Sequence, residues 1–195
     1  ICFLGDAANN QGVFHETLNM AALWKLPVLF VCENNLYGIG TSIERSTAVI
    51  HQHKRVAAYN IPAAECDGQD IDIVYEHART AVNHVRAGNG PYFLELMTYR
   101  YRGHSMSDSR GYRSREEEEI WKQRDPILML RDRLITAKAL TMAEFEAWEK
   151  DTDAYIENEV IKFAEESPEP LVADLEKYVL ADRESQQRWL TGQAA

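Results

Sequence analysis

The sequence predicts an α/β fold in which a mostly parallel sheet is flanked by helices and followed by a helical C-terminal extension. Two observations lead to this fold class. Short apolar runs alternate with helical patterns as far as residue 103, which is typical of strand–helix–strand units. Beyond it lies a polar, basic stretch, and after residue 115 the pattern is helical. We therefore expect an α/β part over 1–103, a loop over 104–115 and a helical extension over 116–195.

The first strand is predicted at Ile1–Leu4, which are four consecutive apolar residues. A helical pattern from about Val13 to Leu26 and a second apolar run, Val28–Cys32, follow it. Strand, helix and strand form a right-handed crossover that lays the two strands parallel. Asp6 and Asn35 should then both lie at the carboxyl ends of strands, where open α/β sheets bind their ligands.

The rest of the sheet is predicted from two further apolar segments. Pro62–Cys66 reads as a third strand, and a helix over Asp72–Ala87 follows it. Gly88 to Pro91 ends that helix by the usual glycine-then-proline signal. In Tyr92–Tyr99, alternate residues would point to opposite faces of a strand. This pattern predicts a last strand nearer one edge of the sheet.

The C-terminal part begins with a long polar segment, Arg100–Arg115. Loops of this length are uncommon in a compact domain unless they are functional. Helical patterns then start at Glu116 and again at Asp125-Pro126. Thr141–Glu144 is a capping-box candidate for a helix that runs to about Glu166.

Composition limits the classes of function. The chain has 195 residues and 45% hydrophobic content, which is enough for one sizeable core. Its net charge of −10 argues against nucleic-acid binding. No apolar run approaches the ~20 residues of a transmembrane helix, so we expect no membrane association. Cys2, Cys32 and Cys66 read as buried apolar side chains in a reducing compartment, because their spacing fits neither a zinc site nor a disulfide framework. Four histidines outside the motifs likewise show no metal-ligand spacing: His51, His53, His77 and His84.

Asp6 and Asn35 are the candidate metal ligands. One anionic and one neutral oxygen, beside a turn of backbone amides at Ala7 and Ala8, suit a magnesium ion that carries a diphosphate. Each residue also has an ordinary structural interpretation. Asp6 could cap the following helix, Asn35 could be a turn asparagine, and Ala7-Ala8 could form a simple strand-to-helix turn.

His104 is the candidate proton-transfer residue, because it lies in the long loop away from any apolar stripe and a histidine changes charge near neutral pH. It could equally be an exposed loop histidine. The loop is also basic. Its arginines could pair with the following glutamates. Alternatively, they could order the loop over a diphosphate and contact an acidic partner. These arginines are Arg100, Arg102, Arg110, Arg113 and Arg115.

Two blocks of sequence resemble the α subunits of the E1 component of thiamine diphosphate-dependent 2-oxoacid dehydrogenases. The first block comprises Gly5–Gly12, Leu18–Pro27 and Cys32–Asn35, and it is similar to the family's Gly-Asp-Gly … Asn-Asn cofactor motif. The second, Tyr99–Asp108 with Tyr112–Glu117, is similar to the family's active-site loop. Pyruvate dehydrogenases are the nearest resemblance. The resemblance implies the thiamine diphosphate-binding fold, of which we interpret this chain as a C-terminal part.

The resemblance also implies roles for particular residues. Asp6 and the Asn35 side chain would bind Mg²⁺ together with the backbone carbonyl of Tyr37. The amides of Ala7 and Ala8 would face phosphate oxygens, although Ala7 stands where the family has glycine. His104 would contact the diphosphate and assist acyl transfer. Ser105 matches a position that is phosphorylated in mitochondrial relatives, and an unmodified loop serine is the alternative.

For the whole protein, the resemblance implies oxidative decarboxylation of pyruvate with acyl transfer to lipoamide, which yields acetyl-CoA in the full complex. The implied cofactors are thiamine diphosphate and Mg²⁺. The implied partners are an E1 β subunit, in an α2β2 heterotetramer, and the lipoyl-bearing E2 acyltransferase. The alternatives are branched-chain 2-oxoacids or acetoin as substrate, or a non-catalytic assembly subunit. A bacterial cytoplasm is favoured over a mitochondrial matrix or plastid.

Overall fold

A computed structural model describes residues 1–175 and 177. The strands, in chain order, are β1 (Cys2–Gly5), β2 (Leu29–Asn34), β3 (Tyr37–Gly38), β4 (Thr41–Ser42), β5 (Ala63–Asp67) and β6 (Tyr92–Met97). The helices are α1 (Gly12–Leu23), α2 (Ile43–Ser46), α3 (Gln52–Arg55), α4 (Ile71–Arg86), α5 (Arg115–Lys122), α6 (Pro126–Thr136), α7 (Met142–Tyr155) and α8 (Lys162–Glu166). Short 3₁₀ segments lie at Asp6–Asn10, Val56–Tyr59 and Val172–Asp174, and a π-helical segment, Ile156–Ile161, joins α7 to α8.

The main sheet has four strands in the order β1-β2-β6-β5, and all its pairings are parallel. The predicted α/β class is therefore confirmed. β6 differs from its prediction, because it lies inside the sheet between β2 and β5 rather than nearer an edge. The alternation of Glu95 with apolar residues suggested a half-exposed strand, but Glu95 is fully buried.

Each face of the sheet is covered by one long helix, because alternate residues of a strand point to opposite faces. Phe30 and Cys32 of β2 belong to a cluster with Phe14 and Leu18 of α1. Leu29 and Val31 belong to a second cluster, which contains Ala81 of α4. These two clusters bury β2 on both faces, as expected for a parallel sheet. Cys32 and Cys66 are buried as predicted, whereas Cys2 is exposed.

Side-chain caps fix the starts of four helices. Asp70 accepts hydrogen bonds from the amides of Asp72 and Ile73 at the start of α4, and Ser114 caps α5. The predicted starts at Asp125-Pro126 and Thr141 are both confirmed. At α7 the Thr141 side chain accepts from the Glu144 amide, and the Glu144 carboxylate accepts from the Thr141 amide. This reciprocal pair is the predicted capping box.

The chain divides into two compact units, the first Ile1–Leu140 and the second from Thr141 onward. The first contains the sheet and α1 to α6. Arg124 forms an ion pair with Asp67, and Arg133 contacts both carboxylate oxygens of Asp70 at 3.0 Å, so the segments around α5 and α6 are fastened to the sheet unit. The second unit contains α7, the π-helical segment and α8. The predicted boundaries near 103 and 115 describe changes in composition and stay a prediction.

Within the described residues, no helix has both the length and the apolar character required to cross a lipid bilayer.

Candidate functional site

Asp6 and Asn35 lie side by side at the end of the sheet. β1 and β2 pair in parallel with Gly5 opposite Glu33, so the residues that follow the two strands are neighbours. The Asn35 amide donates a hydrogen bond to Asp6 Oδ1 at 3.3 Å. The predicted proximity of Asp6 and Asn35 is confirmed. Asp6 does not cap α1, since that helix begins only at Gly12 and the intervening residues form a 3₁₀ turn.

The Asp6 carboxylate is buried, with 4% of the residue exposed. Burial raises the pKa of Asp6 above its ordinary value, although hydrogen bonds from its own amide and from Asn35 oppose the shift. Among residues 1–175 and 177, no lysine, arginine or histidine forms an ion pair with it. The charge of Arg100 also lowers the pKa of Asp6, but less than any of the other influences on it. A buried carboxylate without an ion-pair partner is destabilising in its charged form. A metal ion would supply that charge, so the residues present fit one.

Asn34 and Asn35 form two consecutive side-chain-supported turns. Asn34 Oδ1 accepts from the Leu36 amide at 3.1 Å, and Asn35 Oδ1 accepts from the Tyr37 amide at 3.1 Å. Leu36 has a left-handed φ of 70°, which lets the chain reverse directly after β2. The turn-asparagine interpretation of Asn35 is thus observed. This hydrogen bond still leaves Asn35 Oδ1 able to bind a metal ion, because an amide oxygen has two lone pairs and can accept a second partner.

Ala7 and Ala8 lie exposed in the 3₁₀ turn after β1. Ala7 does not have a positive φ, so its backbone does not require glycine. Its methyl group lies against Gly38, where an added Cβ would stand 2.5 Å from the Ala7 Cβ. The methyl group at position 7 therefore depends on glycine at position 38.

Tyr37 attaches the turn after β2 to helix α5. Its hydroxyl donates to the two Glu117 carboxylate oxygens at 3.1 and 3.2 Å. Burial, and then the negative charge of Glu117, raise the pKa of Tyr37. The Tyr37 ring also lies 5.5 Å from the Tyr112 ring, which belongs to the long loop. The role predicted for the Tyr37 carbonyl stays a prediction.

His104 and Ser105 are exposed on the segment between β6 and α5. The His104 amide donates to Asp108 Oδ2 at 2.8 Å, and the Tyr112 hydroxyl donates to the same oxygen at 2.6 Å. The Tyr112 hydroxyl, with the amides of His104 and Arg110, lowers the pKa of Asp108 to about 2. Asp108 is therefore ionised at neutral pH and fixes the backbone of the loop at His104.

Arg100 ties this loop to the turn after β2. Its Nη2 donates to the Ile39 carbonyl at 2.5 Å and to the Tyr112 hydroxyl at 2.7 Å. The loop and the turn that carries Asn35 therefore share contacts. In the part of the chain that the structure describes, however, no hydrogen bond joins the His104 imidazole to Asp6 or Asn35.

Comparison with known proteins identifies the family of this chain. The chain matches the family described as dehydrogenase E1 component over residues 1–173. The chain belongs to the dehydrogenase E1 component family. A curated relative from Porphyra purpurea, named pyruvate dehydrogenase E1 component subunit alpha, is 41% identical over 93% of this chain and 52% of its own length. The protein of the same name from Rickettsia conorii is 44% identical over 87% of this chain and 52% of its own. The human somatic, mitochondrial form is 45% identical over 88% of this chain and 44% of its own.

This E1-family chain thus spans about half the length of the curated relatives that it matches. Three clefts of about 350, 430 and 470 Å³ occur in its described part, and none of them is lined by Asp6, Asn35 or His104. Of the three candidate residues, Asp6 is buried, Asn35 is half-buried and His104 is exposed.

Arg113 is a residue whose importance the sequence did not reveal in this E1-family chain. Its side chain is fully buried, and it contacts the carbonyls of Arg100 and Arg102 and the Glu118 carboxylate. Its guanidinium also lies over three aromatic rings at 5.2 to 5.6 Å, those of Tyr37, Tyr99 and Tyr112. Pairing with the following glutamates is the observed arrangement for Arg113, and also for Arg110, which contacts Glu118 at 2.9 Å.

Glu95 is the second such residue. It is fully buried in β6, where Oε1 accepts from Asn34 Nδ2 at 2.7 Å and from the Gln52 amide at 3.0 Å. Oε2 accepts from the His53 amide and faces His53 Nδ1, both at 2.8 Å. Glu95 thereby positions the first asparagine of the motif. A single carboxylate among the apolar residues of a strand was the available signal.

Proposed function

We propose that this chain is the diphosphate- and magnesium-binding part of a 2-oxoacid dehydrogenase E1 component that acts on pyruvate. The observation that carries the proposal is the buried Asp6 carboxylate, without an ion-pair partner in the described residues, beside Asn35 at the ends of two parallel strands. Membership of the E1 family implies thiamine diphosphate. The name shared by the relatives, pyruvate dehydrogenase E1 component subunit alpha, supports pyruvate as the substrate.

Three groups of this chain would hold Mg²⁺: the carboxylate of Asp6, the side-chain oxygen of Asn35 and the carbonyl of Tyr37. All are oxygen ligands, which Mg²⁺ prefers. The amides of Ala7 and Ala8 would donate to the diphosphate. When bound, thiamine diphosphate supplies an electron sink for decarboxylation.

His104 is proposed to contact the diphosphate and to carry a proton during acyl transfer. Its backbone is fixed by Asp108, while its side chain is exposed and can reach a ligand. Ser105, next to it, is proposed as a phosphorylation site. A phosphate there would add about −1.5 to −2 charge and would repel a bound diphosphate.

The proposal includes two protein partners. An E1 β subunit, in an α2β2 heterotetramer, would complete the site, as the similarity to E1 α subunits implies. The lipoyl-bearing E2 component would accept the acyl group, and the full complex would release acetyl-CoA. Two human relatives are named as mitochondrial forms, so a mitochondrial matrix or plastid stands beside the favoured bacterial cytoplasm.

Two other functions remain as alternatives. Branched-chain 2-oxoacids or acetoin would require the same chemistry on a different substrate. A non-catalytic assembly subunit would retain the fold without binding the cofactor, and the alanine at position 7 is the feature that favours it. Ala7 does not have a positive φ, so its backbone does not need glycine, and this weakens the argument.

Asp6→Ala tests the proposal. In the heterotetramer, we expect calorimetric titration with thiamine diphosphate and Mg²⁺ to show binding for the parent and a loss of about 10- to 100-fold for the variant, in line with the roughly 1.5–3 kcal/mol of a hydrogen bond to a charged group. Asp151→Ala is the matched control, since Asp151 is exposed on α7. Thermal unfolding of Asp6→Ala should match the parent within a few degrees. Unchanged cofactor affinity in Asp6→Ala would refute the assignment.

A further inference from the structure

We propose that His51, His53 and Glu65 form a binding site for a divalent transition-metal ion, separate from the Asp6–Asn35 pair. His51 precedes α3, His53 lies within it, and Glu65 lies on β5. One ligand atom of each residue lies within 4.8 Å of the others. The spacing of the histidines along the sequence did not predict this cluster, because its third member comes from a strand that lies beside α3 only in the fold.

The distances fit a metal ion. His53 Nδ1 lies 3.3 Å from Glu65 Oε2, and His51 Nδ1 lies 2.6 Å from the same oxygen. Zinc bonds of roughly 2.0–2.2 Å in tetrahedral geometry place neighbouring ligand atoms about 3.4 Å apart. The His53–Glu65 pair already has this separation. The His51 side chain, which is about half exposed, needs to move outward by less than about 1 Å.

The charges of the site favour a cation. Glu65 and Glu95 are directly opposite each other on the neighbouring parallel strands β5 and β6. Adjacent like charges on one face of a sheet are destabilising. In the described residues, the ion pairs of the Glu65 carboxylate are those with the two histidines, and neither carboxylate is paired with lysine or arginine. A metal ion would bring positive charge to both carboxylates at once.

Glu95 also fixes one ligand in place. It holds the His53 amide and faces His53 Nδ1 at 2.8 Å, and it is itself held by Asn34 and the Gln52 amide. Because the ion would bind the same Nδ1 that faces Glu95, metal binding would replace the contact between Glu95 Oε2 and the imidazole. Glu95 Oε2 would keep its hydrogen bond from the His53 amide and would lie close enough to join the ligand set.

The ligand atoms decide the class of metal. Two imidazole nitrogens with one or two carboxylate oxygens suit Zn²⁺, Ni²⁺ or Cu²⁺, whereas Mg²⁺ and Ca²⁺ prefer oxygen alone. The ion would join α3 to β5. It would therefore stabilise α3, whose Gln52 and His53 amides share Glu95 with Asn34. The proposal does not depend on thiamine diphosphate binding.

The experiment is a titration of the protein with Zn²⁺ in excess Mg²⁺ and without thiamine diphosphate. The exposed thiol is first removed by Cys2→Ser, since thiolates also bind zinc. We expect one equivalent of Zn²⁺ to bind, with affinity lowered about tenfold or more in His51→Ala and in Glu65→Gln. His77→Ala on α4 is the matched control and should bind like the parent. Both test variants keep Glu95 and His53 intact, and His51 is exposed, so the fold should be retained.

Two further readouts separate a built site from surface adsorption. Co²⁺ in the site should give the intense visible absorption of four- or five-coordinate cobalt, which Glu65→Gln should abolish. Zn²⁺ should raise the melting temperature of the parent and not that of His51→Ala. The proposal is overturned if Zn²⁺ binding is not saturable, or if His51→Ala and Glu65→Gln bind as tightly as His77→Ala. Two histidine–carboxylate hydrogen bonds without a metal would then be the whole role of the cluster.

Discussion

Ala7 and Gly38 are coupled at the scale of single residues. The family places glycine at position 7, and the sequence alone left open whether alanine there would weaken cofactor binding. Because Ala7 does not have a positive φ, its backbone tolerates a side chain. The space for its methyl group comes from Gly38, where an added Cβ would lie 2.5 Å from the Ala7 Cβ. The two positions can therefore hold one methyl group between them.

A double-mutant cycle tests this coupling. Gly38→Ala should lower the free energy of unfolding by about 1–3 kcal/mol, because it forces two methyl groups together. Ala7→Gly should change it by up to about 1 kcal/mol and should bind cofactor at least as well as the parent. The double variant, Ala7→Gly with Gly38→Ala, should recover most of the lost stability in chemical denaturation.

Gly12→Ala is the control for this cycle, because an added Cβ at Gly12 meets nothing within 4 Å. Its effect on stability should be small. If the effects of the two substitutions on the free energy of unfolding are additive, positions 7 and 38 are not coupled. If Ala7→Gly instead weakens cofactor binding strongly, the methyl group is required and our account of the motif is wrong.

Residue-level prediction succeeded where one rule of topology was enough. Asp6 and Asn35 follow consecutive parallel strands, so their proximity follows from the crossover. Glu95 and Arg113 could not be assigned in the same way. Their partners are supplied by other segments, such as Asn34 for Glu95 and Tyr37 for Arg113, and sequence periodicity carries no information about such contacts.

At the scale of elements, the loop between β6 and α5 was also predicted only in part. One of the two interpretations of the sequence was that the arginines of Arg100–Arg115 order the loop over a bound diphosphate. In the structure Arg113 is already buried against aromatic rings and Glu118, whereas His104 and Ser105 are exposed. The loop therefore has a C-terminal part whose Arg113 side chain is buried and a part around His104 whose side chains are exposed.

We expect hydrogen exchange of the heterotetramer to separate these two parts. Amides near Arg113 should be protected with or without cofactor, because the Arg113 side chain is buried. Amides around His104 and Ser105 should be protected more strongly when thiamine diphosphate and Mg²⁺ are bound. His104→Ala should lower kcat and kcat/KM together, with little effect on the melting temperature, if the group acts in acyl transfer.

Arg113→Met is the contrasting variant for this loop. It keeps an unbranched apolar stem and removes the guanidinium, so it should lower the melting temperature and expose amides on both sides of residue 113. Equal exchange around His104 in the two cofactor states, together with normal turnover of His104→Ala, would mean that the loop is only a connector.

Helix starts were the easiest features to predict, because the residues that cap a helix lie next to its first turn in the sequence. Asp125 with Pro126, and Thr141 with Glu144, contain within four residues the groups that satisfy the first amides of a helix. The position of β6 was harder. Strand order depends on pairing between segments some 60 residues apart, such as Asn34 with Met97, and an isolated glutamate obscured the buried character of that strand.

At the scale of the whole molecule, large apolar side chains are exposed at or next to the edge strand β1 and helix α1. They include Ile1, Phe3, Met20, Leu23 and Trp24. Exposed apolar patches often mark interaction sites. We propose that these side chains contact a partner chain in an assembled E1 component.

The last prediction follows from that arrangement. Without an E1 β subunit, we expect no measurable turnover, because that subunit is proposed to complete the site and the clefts described above are not lined by Asp6, Asn35 or His104. With the β subunit, thiamine diphosphate and Mg²⁺, decarboxylation assays should be run in parallel on pyruvate, 2-oxoisovalerate and acetoin. Pyruvate should give the highest kcat/KM, by at least about tenfold, since a difference of 1.4 kcal/mol in transition-state binding is enough for that ratio. A preference for another of the three would retain the chemistry and change the substrate. Cofactor binding without turnover of any of them would favour an assembly role, and turnover by the chain alone would show that the site needs no partner.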